Sequence, residues 1–259
     1  MMKDPPRWSP LEIGGGRVRS MDADHFRLSL QQTMGKGYAD AQIDDYRYLS
    51  RRSFPWNPPA QMRLEARAST PYPQGTLGFG FWNDPFNLSL GQRGAARRLP
   101  SSPQAIWFLY GSPPHDLALA PGIPGSGWKA AVLRTPRIPS LALAPLALGA
   151  ITLAHIPGLT RPVIRNALKF ADAEESLLSS PLDEWHHYEL EWLEGGARFS
   201  VDGQTVLQAT VSPPAPLGFV AWIDNQYAIV SPTGGFRFGT LPLAEEQWLE
   251  IRGLEVINL

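Results

Sequence analysis

The 259-residue chain contains no cysteine. That excludes disulfides, thiolate catalysis and every cysteine-ligated zinc site. It also has no excess of either charge: 23 Lys and Arg stand against 24 Asp and Glu, for a formal net charge of −1. A nucleic-acid partner needs a basic stripe to neutralise phosphates, and none is present. Gly14-Gly15-Gly16 lacks both the lysine of a phosphate-binding loop and dinucleotide spacing, and reads as a flexible turn. The start, Met1-Met2-Lys3-Asp4-Pro5-Pro6, lacks the apolar stretch of a secretory signal, so a cytoplasmic location is the default expectation.

What is present points to a globular all-β protein. Hydrophobic residues make up 43% and charged residues 18%, a balance that forms a core rather than a disordered chain. The 24 glycines and 26 prolines are roughly a fifth of the chain, which predicts many turns between short strands. Residues 1–259 read as one domain, and all-β sandwiches of this length commonly are one. The Pro-rich segment 1–20 is expected to wrap the surface. Period-two alternation marks strands at Phe26 to Leu30, Met62 to Ala68, Leu77 to Phe81 and Ile106 to Tyr110. Further strands are expected at Trp128 to Leu133, His186 to Trp192, Ala197 to Val201, Gln204 to Val211, Leu217 to Val230 and Trp248 to Ile257. Tyr38 to Tyr48 reads as another extended piece, with Ile43, Tyr46 and Tyr48 as its apolar members.

One segment breaks this pattern. From Ile138 to Thr160 no residue has a fixed charge, and Arg134, Arg137, Arg161 and Arg165 flank the run. Its length suits a membrane span, but Pro139, Pro145 and Pro157 interrupt it. Together with Pro162 to Leu178, whose apolar residues fall near helical spacing, it predicts an apolar, helical insertion over 138–178. A hydrophobic-ligand or membrane-surface role through the 138–178 insertion, with any membrane contact at 138–160, is the alternative.

A longer pattern resembles a known superfamily. Trp185-His186-His187-Tyr188-Glu189-Leu190-Glu191-Trp192 is followed by Phe199-Ser200-Val201-Asp202-Gly203, and upstream stand Glu65-Ala66-Arg67-Ala68-Ser69 and Gly78-Phe79-Gly80-Phe81-Trp82. These stretches are similar to laminarinase-type glycoside hydrolases and their lectin-like relatives, of the concanavalin A-like lectin/glucanase superfamily. The resemblance implies a jelly-roll sandwich of two curved antiparallel sheets with a concave groove. It also implies a glycan ligand, and an activity only where Glu-x-Asp-x-Glu lies on one strand, since a retaining mechanism needs two carboxyls about 5 Å apart. No Glu-x-Asp-x-Glu occurs in this chain. Hydrolysis is therefore not implied, and any enzyme here is a glycan-directed hydrolase or lyase of altered chemistry.

The candidate ligand-binding residues are Trp82, Asp84, Gln92, Trp107, Tyr110, Trp222, Asp224 and Gln226. Trp82 and Asp84 share one face by period two, as do Trp222, Asp224 and Gln226. Indole and phenol rings offer flat apolar surfaces to a sugar or another small molecule, while Asp and Gln supply hydrogen bonds. The competing explanation is that these aromatics are core or rim packing. Asp84 and Asp224 are the candidate acid–base pair of the enzyme reading. No cofactor is expected, although Asp22-Ala23-Asp24 and Asp44-Asp45 offer oxygens of the kind calcium prefers. His186 and His187 point to opposite strand faces and do not jointly chelate.

Overall fold

The computed structural model describes residues 7–33, 37–85, 96–120, 122–138, 171–231 and 235–259. The alternating sequences form strands, and the strands form two seven-stranded antiparallel sheets. One sheet, the site sheet, runs in the order β1 (Ser9–Ile13), β4 (Asp40–Asp44), β13 (Gly218–Asp224), β6 (Thr76–Trp82), β7 (Gln104–Gly111), β8 (Gly127–Arg134) and β9 (Asp172–Leu177). The other runs β12 (Gln204–Ala209), β11 (Gly196–Val201), β10 (His186–Leu193), β5 (Ala60–Ala68), β16 (Gln247–Asn258), β3 (Phe26–Leu30) and β2 (Gly16–Ser20). A separate hairpin pairs β14 (Gln226–Ser231) with β15 (Gly235–Thr240).

Period two decides which side chains meet between the sheets. Leu77, Phe79 and Phe81 of β6 face Tyr188, Leu190 and Trp192 of β10 in one core. Phe79 meets Tyr188 edge-on with centroids 5.0 Å apart, and Phe81 meets Trp192 at 5.8 Å. Such pairs add to the area term because ring edges are positive and ring faces negative. The hairpin predicted at Asp202-Gly203 joins β11 to β12 with φ of 50° and 76°, both positive as a type I′ turn demands. Asp202 also caps the neighbouring strand, accepting from the His187 backbone N–H at 2.9 Å and meeting His186 Nδ1 at 2.6 Å. His186 turns inward and His187 outward, as alternation requires.

Three expectations need correction. The helix over Pro162 to Leu178 is overturned at its C-terminal end, where Asp172–Leu177 is strand β9 at the edge of the site sheet. Among the described residues the only helical turn is the 3-10 turn Arg51–Ser53. Most of the 138–178 insertion, and with it the proposed membrane contact, lies in 139–170, outside the described residues. The N-terminal segment does not merely wrap the surface: residues 9–20 supply edge strands to both sheets. Tyr46 and Tyr48 lie beyond β4, and Tyr48 is exposed while Tyr46 is buried.

Candidate functional site

The outer face of the site sheet carries the residues of opposite parity to the core. Cross-strand register places Asp40, Asp224 and Thr76 in one row, and Gln42, Trp222, Gly78 and Leu109 in the next. A third row holds Asp44, Val220, Gly80 and Trp107. Over this floor lies a cavity of about 730 Å³. Its far wall is the β14–β15 hairpin, with Tyr227, Ala228, Phe238, Gly239 and Thr240, and the segment at His115 and Leu117. Backbone bonds make that wall continuous: Asp116 N–H donates to Ala228 O, and Val230 N–H donates to Asp116 O, both at 2.9 Å. Asn225, fully buried, anchors the hairpin base by donating to Gly37 O and Leu241 O and accepting from Ala39 N–H, each at 2.9 Å.

Three tryptophans form the floor. Trp82 and Trp107 have ring centroids 6.0 Å apart, and Trp107 and Trp222 5.6 Å. Gly78 makes this possible, because a Cβ there would stand 2.7 Å from the Trp222 ring. The glycine thus seats an indole rather than leaving space for a ligand directly. Trp82 Nε1 donates to the Tyr46 hydroxyl at 2.5 Å and Trp222 Nε1 to Thr76 Oγ1 at 3.0 Å. Trp107 Nε1 is buried and has no hydrogen-bond partner.

The acidic end of the floor is a cross-strand pair. Asp40 and Asp224 sit directly opposite one another on β4 and β13, a spacing at which like charges repel. Asp224 accepts from Thr76 Oγ1 and from the Gln226 N–H, both at 2.9 Å. Burial nevertheless pushes its carboxyl up to about 6, against those hydrogen bonds. Burial first, then the charge of Asp224, raises Asp40 well above the usual carboxylate range, while Tyr38 and Arg47 pull it back. Asp40 Oδ2 is buried without a hydrogen-bond partner. Burial and the two neighbouring carboxyls also raise the Tyr38 phenol. On the opposite wall, burial and then Lys129 push the His115 imidazole down to about 4, which leaves it neutral at pH 7.

These shifts give a signed expectation. Asp224 titrates at about 6 when folded and near 3.8 when unfolded, so its contribution is fully present below pH 4 and is lost as pH rises through 6. Replacing it with Asn removes the cost of burying the charge. Asp224→Asn is expected to gain roughly 2–3 kcal/mol relative to wild type between pH 4 and pH 8. Urea unfolding of both proteins at the two pH values measures this, and an unchanged difference would show that Asp224 ionises freely.

Of the eight candidate residues, Trp82, Trp107, Trp222, Asp224 and Gln226 line this cavity. Gln92 lies outside the described residues. Tyr110 has the opposite parity and is buried in the inter-sheet core. Asp84 is also elsewhere: it is buried in an ion pair with Arg98 at 2.6 Å. Arg98 in turn donates to the carbonyls of Tyr46, Arg47 and Leu49, so Asp84 fastens loops together. The Asp84–Asp224 pairing does not form, because the partner of Asp224 is Asp40. Sequence reasoning missed Tyr38, Asp40, Gln42 and His115. The available signal was the polar stripe Asp40, Gln42, Asp44 alternating with Ala41 and Ile43.

The calcium candidates have other work. Asp44 accepts from Arg47 Nη2 at 2.5 Å and Gln42 Nε2 at 2.9 Å. Asp45 accepts from Trp56 Nε1 at 2.5 Å and Phe219 N–H at 2.9 Å, and Asp22 and Asp24 stand in an exposed turn. Among the described residues, no three His, Asp or Glu side chains converge to hold a metal ion. No described helix is long and apolar enough to cross a membrane.

No family model and no curated protein sequence matches the chain. Solved structures do. A glycoside hydrolase family 16 endo-glucanase from Bacteroides ovatus aligns with a TM-score of 0.51 at 9% identity, over 99% of this chain and 97% of that one. A glycoside hydrolase family protein from Mycobacterium thermorestibile aligns at 0.45 and 15% identity, over 98% and 94%. A legume lectin-like domain from Entamoeba histolytica aligns at 0.46 and 10% identity, over 98% and 90%. At such identities the likeness concerns the fold alone. Two stacked seven-stranded antiparallel sheets, matched end to end by the endo-glucanase, give this chain the concanavalin A-like lectin/glucanase fold.

Proposed function

We propose that the outer face of the site sheet binds a carbohydrate, or a small molecule with a similar mix of ring face and hydroxyls. The observation that carries this is the pairing of a tryptophan floor with two unmet buried polar atoms, the donor Trp107 Nε1 and the acceptor Asp40 Oδ2. A buried polar atom without a partner costs about 1–3 kcal/mol. Both residues line the same cavity, so a hydroxylated ligand stacked on the indoles meets polar side chains as well as ring faces. The fold is shared with a protein named as an endo-glucanase and with lectin-like domains, which agrees with this ligand class.

Binding is the better reading than glucan hydrolysis. The strand after Gly78-Phe79-Gly80-Phe81-Trp82 is β7, and it turns Ala105, Trp107 and Leu109 to the cavity side. None is a carboxylate. Titrating the protein with gluco-, xylo-, manno- and chito-oligosaccharides should therefore give saturable quenching of tryptophan fluorescence by at least one, with no reducing ends released. Silence from every oligosaccharide would defeat the carbohydrate reading, and released reducing ends would defeat the non-hydrolytic one.

A further inference from the structure

The cavity has a charge character that a neutral sugar does not explain. Its described lining includes two carboxyls, Asp40 and Asp224, and no Lys or Arg. The nearby cations are already committed. Arg47 is buried against Asp44 at 2.5 Å, and Lys129 is buried against Glu175 at 2.8 Å. The other polar wall groups, His115 among them, have no positive charge at neutral pH. Two carboxyls directly opposed across strands, one with an oxygen lacking any partner, form a site short of a cation. Beside them stand the π faces of Trp222 and Trp107, which attract cations when water is excluded.

We propose that the ligand carries a protonated amine, seated between Asp40 and Asp224 with the rest of its ring on the tryptophan floor. An amino sugar is the carbohydrate of that description. This deepens the carbohydrate reading and rests on the same cavity. The ammonium supplies N–H donors to Asp40 and to the Asp224 carboxyl, whose Oδ1 already accepts from Thr76 and Gln226. It also removes the repulsion between the carboxyls, which hydroxyls alone do less well. A metal ion fits poorly, because hard cations take six or more oxygens, and the described residues here bring together only two carboxyls.

Two matched pairs of probes at pH 6.5 test this by calorimetry: glucosamine trimer against its N-acetylated trimer, and benzylammonium against benzyl alcohol. The charged member of each pair is expected to bind at least about tenfold more tightly. Asp40→Asn and Asp224→Asn are expected to erase most of that ratio, each weakening the charged member far more than the neutral one. Both substitutions remove a buried charge, and thermal unfolding verifies that the variants are folded. If the neutral trimer binds as tightly as the charged one, the amine inference is overturned and the carbohydrate reading stands. Binding of benzylammonium, but of neither trimer, keeps the amine and overturns the amino-sugar assignment. If no probe binds, the amine inference is overturned, while the carbohydrate reading falls only if the oligosaccharide titration is silent as well.

Discussion

Lys129→Met is expected to cost about 3–5 kcal/mol of stability, the usual penalty for stripping one partner from a buried ion pair. Lys129 and Glu175 bridge β8 and β9 at 2.8 Å, with side-chain exposures of 2% and 0%. The pair also shapes the cavity. Lys129 Nζ donates to the carbonyls of Leu117 and Pro124, both at 3.1 Å, and Glu175 Oε1 accepts from the Leu119 and Ala120 N–H groups, both at 2.9 Å. Without the ammonium, Glu175 is left as an uncompensated buried charge and the 117–124 segment loses two anchors. Ligand affinity should fall as well, because Leu117 lines the cavity. The double variant Lys129→Met/Glu175→Gln removes the stranded charge but keeps an oxygen for the two amides, and should recover much of the loss. Urea unfolding of the three proteins decides the matter. A single-variant cost under about 1 kcal/mol would mean that the pair is solvated and contributes little.

Trp222→Ala is expected to weaken ligand binding about 30-fold or more, the effect of losing a central aromatic anchor worth about 2 kcal/mol. Trp222 is fixed from both sides: its Nε1–H donates to Thr76 Oγ1 at 3.0 Å, and its ring packs on Trp107 at 5.6 Å. That fixation means little conformational entropy is lost when a ring stacks on it. Trp222→Phe keeps part of the apolar face and should lose only a few-fold. Calorimetry is the suitable readout, since the chain has nine tryptophans whose emission overlaps. If Trp222→Ala binds like wild type while remaining folded, the ligand does not occupy this cavity.

The two substitutions probe different layers of one arrangement. Lys129 and Glu175 set where the wall stands, and the tryptophans set what the floor recognises. The carboxyls at the other end add a distinct demand. Burial raises both Asp40 and Asp224, and a positively charged ligand beside them would lower both again by favouring the ionised carboxylates. His115 faces them as a neutral imidazole, since burial and Lys129 hold it at about 4.

Much of this architecture is legible in the amino-acid sequence. Strand parity was local information: Leu77, Phe79 and Phe81 had to share one face and Gly78, Gly80 and Trp82 the other, whatever the fold. The Asp202-Gly203 turn was equally local, because few sequences other than Asp-Gly accept two consecutive positive φ values. Trp222 and Asp224 are readable as one face for the same reason, whereas Gln226, expected on that face, begins β14 of the separate hairpin after the chain turns at Asn225. The helix expected over 162–178 failed in its last part because apolar spacing there was compatible with either period, and pairing with β8 settled it as strand.

Which faces meet is settled by long-range strand pairing. Asp40 and Asp224 are 184 residues apart in sequence, counted from their numbers, and no local pattern announces that β4 and β13 are neighbours. Asp84 looked equivalent to Asp224 by its position after a tryptophan, yet the chain turns at Asp84 with φ of 42° and gives its carboxylate to Arg98. Alternation, turn chemistry and the lack of a Glu-x-Asp-x-Glu strand follow from the amino-acid order alone, since each depends on residues within a few positions of one another. Sheet order, the covering hairpin and the opposed carboxyls depend on which distant strands exchange hydrogen bonds. That choice is made by the whole core at once.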